Sequence, residues 1–508
     1  LYLIGLDVGS TNWKAALYSV KGKLISAVDY PTPVRKDGRG NIYYDPKQLW
    51  KIYCTLIKKI AKKAGNPELI KAISIASMAE AGGLVDKNGQ PVSSIIPWYD
   101  RRTIPQKNEI LEKIKKEKVF EITGVNLSHI HSICKIKWFK SNEKKAFKKA
   151  AKWVCVPDYL VKRLSGVWAT DYSIASRTAL FDIRTKSWSK KMLSFAGIHE
   201  SFLPQTFPPG TVVGNISKGA GMECGLSVNT KVVLGGHDHV VGSLGAGLFS
   251  QGKALDSIGT AESVCVPLNS IKNLKKYYKS GISFGCYTYG NMYYAMSGLY
   301  SAGGIIEWLR LHFYKENLDK NKAYKLMIKE ADMSGPGSGG LILLPHWLGM
   351  GAPFGIREAR GTIIGLTPET SRGDIVNAAY EGLSYEYRIL MENIEQTIGF
   401  CIKQVVVIGG GSKNIIWLKR KANITGKNLV VVSSSETVCL GAALLAGLGS
   451  GLIKNPGGFI RIENRKQIQN SKKLKGFYAD KYNEYIRIHR QIMPLWQKNH
   501  QHHKDSSL

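Results

Sequence analysis

The chain lacks the marks of a membrane protein, a disulfide scaffold and a metal finger. In 508 residues there is no run of about 18 or more apolar residues, so no membrane-spanning helix is expected. Cysteine is sparse: eight residues, at 54, 134, 155, 224, 265, 286, 401 and 439, make no CxxC pair and no metal-ligand spacing. Thiols scattered in this way suit a reduced, cytoplasmic protein. No GxxxxGK[ST] loop occurs, which excludes a Walker-type nucleotide site. The N-terminus opens on the strand-like LYLIGLDVG without a basic leader and cleavage site, so no secretory signal is expected. The first residue is not Met, so the natural start is expected just upstream. Acidic residues are scarce as well: 38 Asp and Glu against 71 Lys and Arg leave a formal charge of +33. Such a charge can signal nucleic acid. Here the lysines are spread over helix faces such as LEKIKKEKVF and KKAFKKAAKW, and no nucleic-acid motif accompanies them. We read them as a solvated surface with no specific nucleic-acid partner, whose positive field also concentrates anionic nucleotides.

The chain does have enough apolar residues, 44%, for at least one large core, and its length favours two domains or more. Val232–Leu234 reads as a buried strand ended by Gly235-Gly236, and His237, Asp238 and His239 follow on that turn before a Gly- and Ala-rich helix. Asp238 is well set there to act as a general base toward a hydroxyl, or in a metal shell; the alternative is that it merely caps the helix.

Near the start, Asp7 to Asn12 reads as a turn between two strands. Gly9 permits a positive φ and leaves the backbone uncovered, so that Ser10, Thr11 and neighbouring amides can face an anion. Asp7 repels phosphate directly but can hold a hydrated Mg²⁺, and Lys14 supplies a cation beside it. The turn at Ile258-Gly259-Thr260-Ala261 repeats this logic, so a nucleotide held in a cleft between two similar lobes is expected. Glu80 lies just past a strand at Ala72–Ala76, and IIPWYDRR gathers Trp98, Asp100 and Arg101, which can grip a polyol by stacking and charge-assisted hydrogen bonds. A structural salt bridge is the alternative for that group.

VVVIGGGSKN reads as a strand, a triple-glycine turn and a helix; Gly409, Gly410 and Gly411 leave room for a flat ring against bare backbone. This turn is not GxGxxG, which disfavours a dinucleotide. Asp374–Thr397 reads as an amphipathic helix starting from an Asp, NLVVVSS and VCLGAALLAG as a strand and helix that complete the second lobe, and NHQHHKDSSL as a disordered tail.

Together these stretches resemble the FGGY family of carbohydrate kinases, within the actin-like, ribonuclease H-like ATPase superfamily, from about Leu3 to Gly451. DVGSTNWK is similar to that family's first phosphate loop, SIGTAES to its second, and GGGSKN followed by ETVCLGAALLA to its adenosine segment. GTIIGLTPETSRGDIVNAAYEG matches its C-terminal signature, and SHIHSICKIKWFKSNE its N-terminal one around Lys135 and Trp138, departing at Ile130 and Ser141.

The resemblance implies an α/β fold of two ribonuclease H-like domains, each with a mixed β-sheet flanked by helices, around a central cleft. Residues 1–246 would bind sugar and carry the catalytic Asp, 247–460 would bind nucleotide, and 461–508 would form a C-terminal helix and tail. It implies ATP and Mg²⁺ as cofactors, Asp238 as catalytic base, and Asp7 acting through the metal. Phosphates would be held by Gly9, Ser10, Thr11, Lys14, Gly259 and Thr260, and adenine by Gly409, Gly410, Gly411, Ser412 and Asn414. Glu80, Trp98, Asp100 and Arg101 match sugar-contacting positions, and His237 and His239, which flank the base, are expected to bind substrate as well. GHDH differs from the GGDN of xylulose kinases and the GDQQ of glycerol kinases, and is similar to the GHD of fuculose kinases. The implied activity is phosphorylation of a ketose, such as xylulose or fuculose, or of a polyol. A homodimer is the open expectation about assembly. The competing class is an actin- or chaperone-like ATPase coupled to a partner, against which the polar group at Glu80, Trp98, Asp100 and Arg101 argues.

Overall fold

The computed structural model describes residues 1–315, 319–432, 436–460 and 465–505. Two large mixed sheets organise it. The first is built from β1 (Tyr2–Val8), β2 (Asn12–Ser19), β3 (Leu24–Pro31), β4 (Ile70–Ser77), β5 (Val212–Asn215) and β6 (Lys231–His237), in the spatial order β5-β6-β4-β1-β2-β3. The second uses β7 (Lys253–Ile258), β8 (Glu262–Leu268), β9 (Ser283–Cys286), β10 (Tyr293–Leu299), β11 (Gln404–Ile408), β12 (Leu429–Val432) and β13 (Arg465–Ile468), in the order β9-β10-β8-β7-β11-β12-β13.

The two sheets follow one plan. In each, an antiparallel meander (β1-β2-β3; β7-β8-β10) is followed by two strands that extend the first one in parallel (β4 and β6; β11 and β12), and the far edge turns antiparallel. Parallel strands must be covered on both faces, which is why β4, β6, β11 and β12 read as nearly continuous apolar runs.

The helices that matter below are α1 (Pro46–Ala61), α2 (Ser132–Asn142), α3 (Tyr172–Ser176), α4 (Asp238–Gly245), α5 (Arg372–Ile398), α6 (Ile415–Thr425), α7 (Thr437–Gly449) and α8 (Lys475–Asp505). Helix α5 starts two residues before the expected Asp374. Ser371 is the cap and Asp374 completes a capping box with it, each side chain accepting from the other's backbone N–H. Along β1 the side chains alternate: Ile4, Leu6 and Val8 pack toward α1, and Leu3 packs on the opposite face with Leu440 and Leu444 of α7. The sequence reading has this last helix completing the second lobe; the structure instead lays it against the first sheet. Small residues permit the approach. A Cβ on Gly5 would sit 1.9 Å from the Cys439 carbonyl oxygen, and one on Gly441 would sit 2.1 Å from that of Val241 on α4. Helices α4 and α7 therefore meet backbone to backbone between the sheets.

The tail expectation is corrected in part. Helix α8 continues through Asp505, so most of NHQHHKDSSL extends it, while residues 506–508 lie outside the described residues. The last residues of NLVVVSS, 433 and 434, also lie outside them. Among the described residues no helix is long and apolar enough to cross a membrane.

Candidate active site

Strands β1, β4 and β6 run parallel, and their carboxyl ends deliver Asp7, Glu80 and Asp238 to one edge of the first sheet. Open α/β sheets gather ligands at that edge. Asp238 is the first residue of α4, and the cap position is taken by His237, so the reading of Asp238 as a mere helix cap does not hold. Its Oδ1 accepts the His239 N–H at 2.7 Å and lies 3.3 Å from His237 Nε2.

Asp238 and His239 border a cavity of about 390 Å³ together with Asp7, Gly9, Ser10, Thr11 and Lys14. Ser257 and Gly259 of the second hairpin form its opposite wall. Residues of the two turns thus border one cavity. Gly9 does so differently from expectation: it is not among the glycines with positive φ. It is required because a Cβ would come 2.9 Å from the Asn12 carbonyl oxygen across the turn. Thr260, beside Gly259, uses its carbonyl to accept the N–H groups of Ala302 and Gly304, at 2.8 and 3.0 Å.

A second cavity, of about 560 Å³, adjoins the first and shares Lys14, Ser257, Ile408 and Val438 with it. Gly409, Gly410 and Ser412 form part of its wall. A Cβ on Gly410 would meet nothing within 4 Å, so its backbone is bare toward the space. Gly411 and Asn414 lie behind the wall. A Cβ on Gly411 would strike Ile258 at 2.3 Å, and Asn414 Oδ1 caps α6 by accepting the Trp417 N–H at 3.1 Å.

Electrostatics concentrate on Asp7. Burial, then the charge of Asp238, push its carboxyl to about 8, against the pull of Lys14. Lys14 in turn faces Glu436 at 3.3 Å, just before α7. Asp7 and Asp238 line the same cavity, and an all-oxygen donor set there suits Mg²⁺. The residues present fit that ion.

Behind Asp238 the chain builds a buried polar wall. Glu80 is buried, and Arg177, just past α3, bonds its Oε1 through Nε at 2.7 Å and Nη2 at 2.6 Å. Burial raises the Glu80 carboxyl, but Arg177, aided by His237, His131 and Lys135, outweighs it and holds the group at about 2. Lys135, on α2, donates to the carbonyls of Glu80, at 2.8 Å, and of Ile130. His237 is buried, which holds its imidazole at about 4 despite Asp238, and its Nδ1 has no hydrogen-bond partner. Arg177 Nη1 is a second buried orphan in this group. Ser173 anchors the turn: its Oγ accepts the His237 N–H at 2.9 Å, and its own N–H donates to Asp171 at 2.7 Å.

The Trp98, Asp100 and Arg101 group is brought together otherwise than expected. Asp100 accepts from the Ile42 N–H at 2.8 Å and from Arg102, through its N–H at 2.9 Å and Nε at 2.8 Å. It makes the structural salt bridge, with Arg102 and not with Arg101. Arg101 is exposed, and Trp98 is 39% exposed, edge-on to Tyr99. Sequence reasoning missed Arg177, in the turn that follows α3, and His131, the cap of α2 inside SHIHSICKIKWFKSNE; each meets Glu80 only through the fold.

Two family models cover this geometry: "FGGY family of carbohydrate kinases, N-terminal domain" matches residues 2–245, and the C-terminal domain of that family matches residues 258–450. Glycerol kinase 2 of Thermotoga maritima is 32% identical over 473 residues, which span 89% of this chain and 91% of the relative. Gluconokinase of Bacillus subtilis is 26% identical over 459 residues, 89% of this chain and 88% of the relative. Among solved structures, xylulose kinase from Rhodospirillum rubrum superposes with a TM-score of 0.90 over 98% of this chain and 100% of that one, at 21% identity. The chain belongs to the FGGY family of carbohydrate kinases, and it is an ATP-dependent carbohydrate kinase.

Proposed function

We propose that the enzyme transfers the γ-phosphoryl group of ATP to a hydroxyl of a small ketose or polyol, with Asp238 as general base. The observation that carries this reading is the position of Asp238: it opens α4 at the edge of a cavity that both glycine turns also face. In the step, the substrate oxygen forms a bond to the γ-phosphorus, its proton passes to the Asp238 carboxylate, and the bond to the departing ADP breaks. Gly9, Ser10, Thr11, Gly259 and Thr260 hold the phosphates, and Lys14 supplies positive charge beside them. Asp7 holds Mg²⁺, which when bound neutralises phosphate charge.

The adjoining 560 Å³ cavity suits the nucleoside, with Gly410 as the bare surface for its base. Glu80 and His237 suit the sugar. Being neutral, His237 can turn Nε2–H toward Asp238 and offer the Nδ1 lone pair to a hydroxyl, and a buried group left unpartnered is costly until something fills that role. Trp98 and His239 supply the outer, more open contacts.

The test is ADP release from Mg-ATP against a panel of ketoses, polyols, aldoses and sugar acids, for the wild type and Asp238→Asn. One class of acceptor should stimulate release strongly, and the variant should lose about 10²–10⁴-fold in kcat while still binding ATP. A variant that keeps most of its turnover removes Asp238 as base. Equal ADP release with and without any acceptor would favour the partner-coupled ATPase.

A further inference from the structure

Away from the cleft, three ligand-type side chains from separate elements converge inside the second lobe. His346 follows the short strand Ile342–Leu344, Glu386 lies midway along α5, and His489 is on α8. All three are buried, the histidines to 3% and 1% exposure. Glu386 Oε1 is 3.5 Å from His346 Nε2 and 3.4 Å from His489 Nε2, and one donor atom from each residue lies within 4.8 Å of the others. Neither Nε2 has a hydrogen-bond partner. Leaving a buried polar atom unpaired is costly, so two that face the same carboxylate oxygen need an explanation.

A pair of ordinary hydrogen bonds does not supply it. The N···O separations exceed the usual range of about 2.7–3.2 Å for N–H···O bonds. They do match the edge of a tetrahedron whose centre lies about 2.0–2.1 Å from each corner, which is an edge of about 3.3–3.4 Å. We propose that His346, Glu386 and His489 bind one divalent transition-metal ion, zinc by the chemistry of the set. Two imidazoles with one carboxylate suit zinc, whereas Mg²⁺ and Ca²⁺ take oxygen-only sites.

The surroundings are those of a supported site. The Tyr485 hydroxyl donates to Glu386 Oε1 at 2.7 Å and fixes the carboxylate, leaving its second lone pair for the metal. Trp496 stands edge-on to the His346 ring, and Phe354 packs on His489. The ion would pin α8, which lies beyond the residue-450 limit of the family match, to α5 in the lobe it covers. Its role would be structural and separate from the Mg²⁺ of the cleft.

The experiment starts from the full chain with His500, His502 and His503 replaced by Ala, so that the tail histidines cannot bind metal. After chelation and dialysis against zinc, this protein should hold about one zinc per chain. Cobalt in its place should give the visible bands of a tetrahedral ion, and zinc, unlike Mg²⁺, should raise the unfolding midpoint of the stripped protein by several degrees. Adding Glu386→Gln or His489→Gln should abolish both the stoichiometric zinc and the cobalt spectrum. No retained zinc in the tail variant overturns the proposal, and so does zinc retained unchanged when Glu386 or His489 is replaced. The cobalt spectrum is read on an unaltered triad, so a variant that fails to fold does not decide the matter.

Discussion

The two lobes place the same hairpin at the cleft and use its charges in opposite ways. In the first, β1-β2 presents Asp7 to the shared cavity, with its carboxyl driven up to about 8 by burial and by Asp238. In the second, β7-β8 turns its acids inward. Asp256 and Glu262 are fully buried and clasp Lys421 of α6, with Lys421 Nζ 2.8 Å from Asp256 Oδ2 and closer still to Glu262. Burial, then Asp256, push the Glu262 carboxyl up, against the pull of Lys421. The cleft side of this hairpin is left to Ser257 and Gly259. One copy of the fold thus keeps its carboxyl facing the cavity, while the other pairs its acids with a buried lysine.

That contrast is breakable. Lys421→Met should give the largest effect, a loss of about 3–5 kcal/mol in unfolding free energy, because a buried charge is left without its partner. Adding Asp256→Asn and Glu262→Gln should restore much of it, as measured by denaturant midpoints. If the triple variant is no more stable than the single one, charge is not what the cluster stabilises. Asp7→Asn should instead spare folding and reduce kcat by about 10²–10³-fold, the range seen when a charge-stabilising group is removed.

The crossing of α4 and α7 joins the two lobes, and Gly441→Ala tests it. Its methyl would meet the Val241 carbonyl oxygen at 2.1 Å, and the expected cost is about 1–3 kcal/mol. A neutral result would mean that the helices can part without loss.

A last test sharpens the comparison through pH. The folded-state value of Asp7, about 8, lies above its unfolded value of 3.8. The stability tied to its proton is complete below pH 3.8 and is lost as pH rises through about 8. In metal-free protein Asp7→Asn should therefore gain stability over wild type at pH 8.5 but not at pH 4. An equal difference at both values would contradict the burial of that charge.

Much of this was legible in the sequence because it is local. The turns at Gly9 and Gly259, the strand-turn-helix at Gly409 and the turn carrying Asp238 each signal themselves within about ten residues, through glycine and apolar runs. Pairings made across the fold were not. Glu80 finds Arg177 97 positions away, and nothing near either residue announces the other. Asp100 chose Arg102 over Arg101 because the loop also had to satisfy the Ile42 backbone. Helix α7 read as part of the second lobe because chain order was the only guide; its glycines, which admit it to the first sheet, carry no address. His346, Glu386 and His489 show no ligand spacing and meet only once α8 folds back.

The docking of α7 on the first sheet bears on how the protein is made. Leu3, Ala16, Ala72, Ala76 and Val233 emerge from the ribosome early, yet the surface that covers them, Cys439 to Ala446, is synthesised some two hundred residues after Val233. The first lobe must wait, with one face open, for nearly the whole chain to appear. A fragment cut at residue 246 would keep that face bare, so it should aggregate or bind chaperones where the full chain does not.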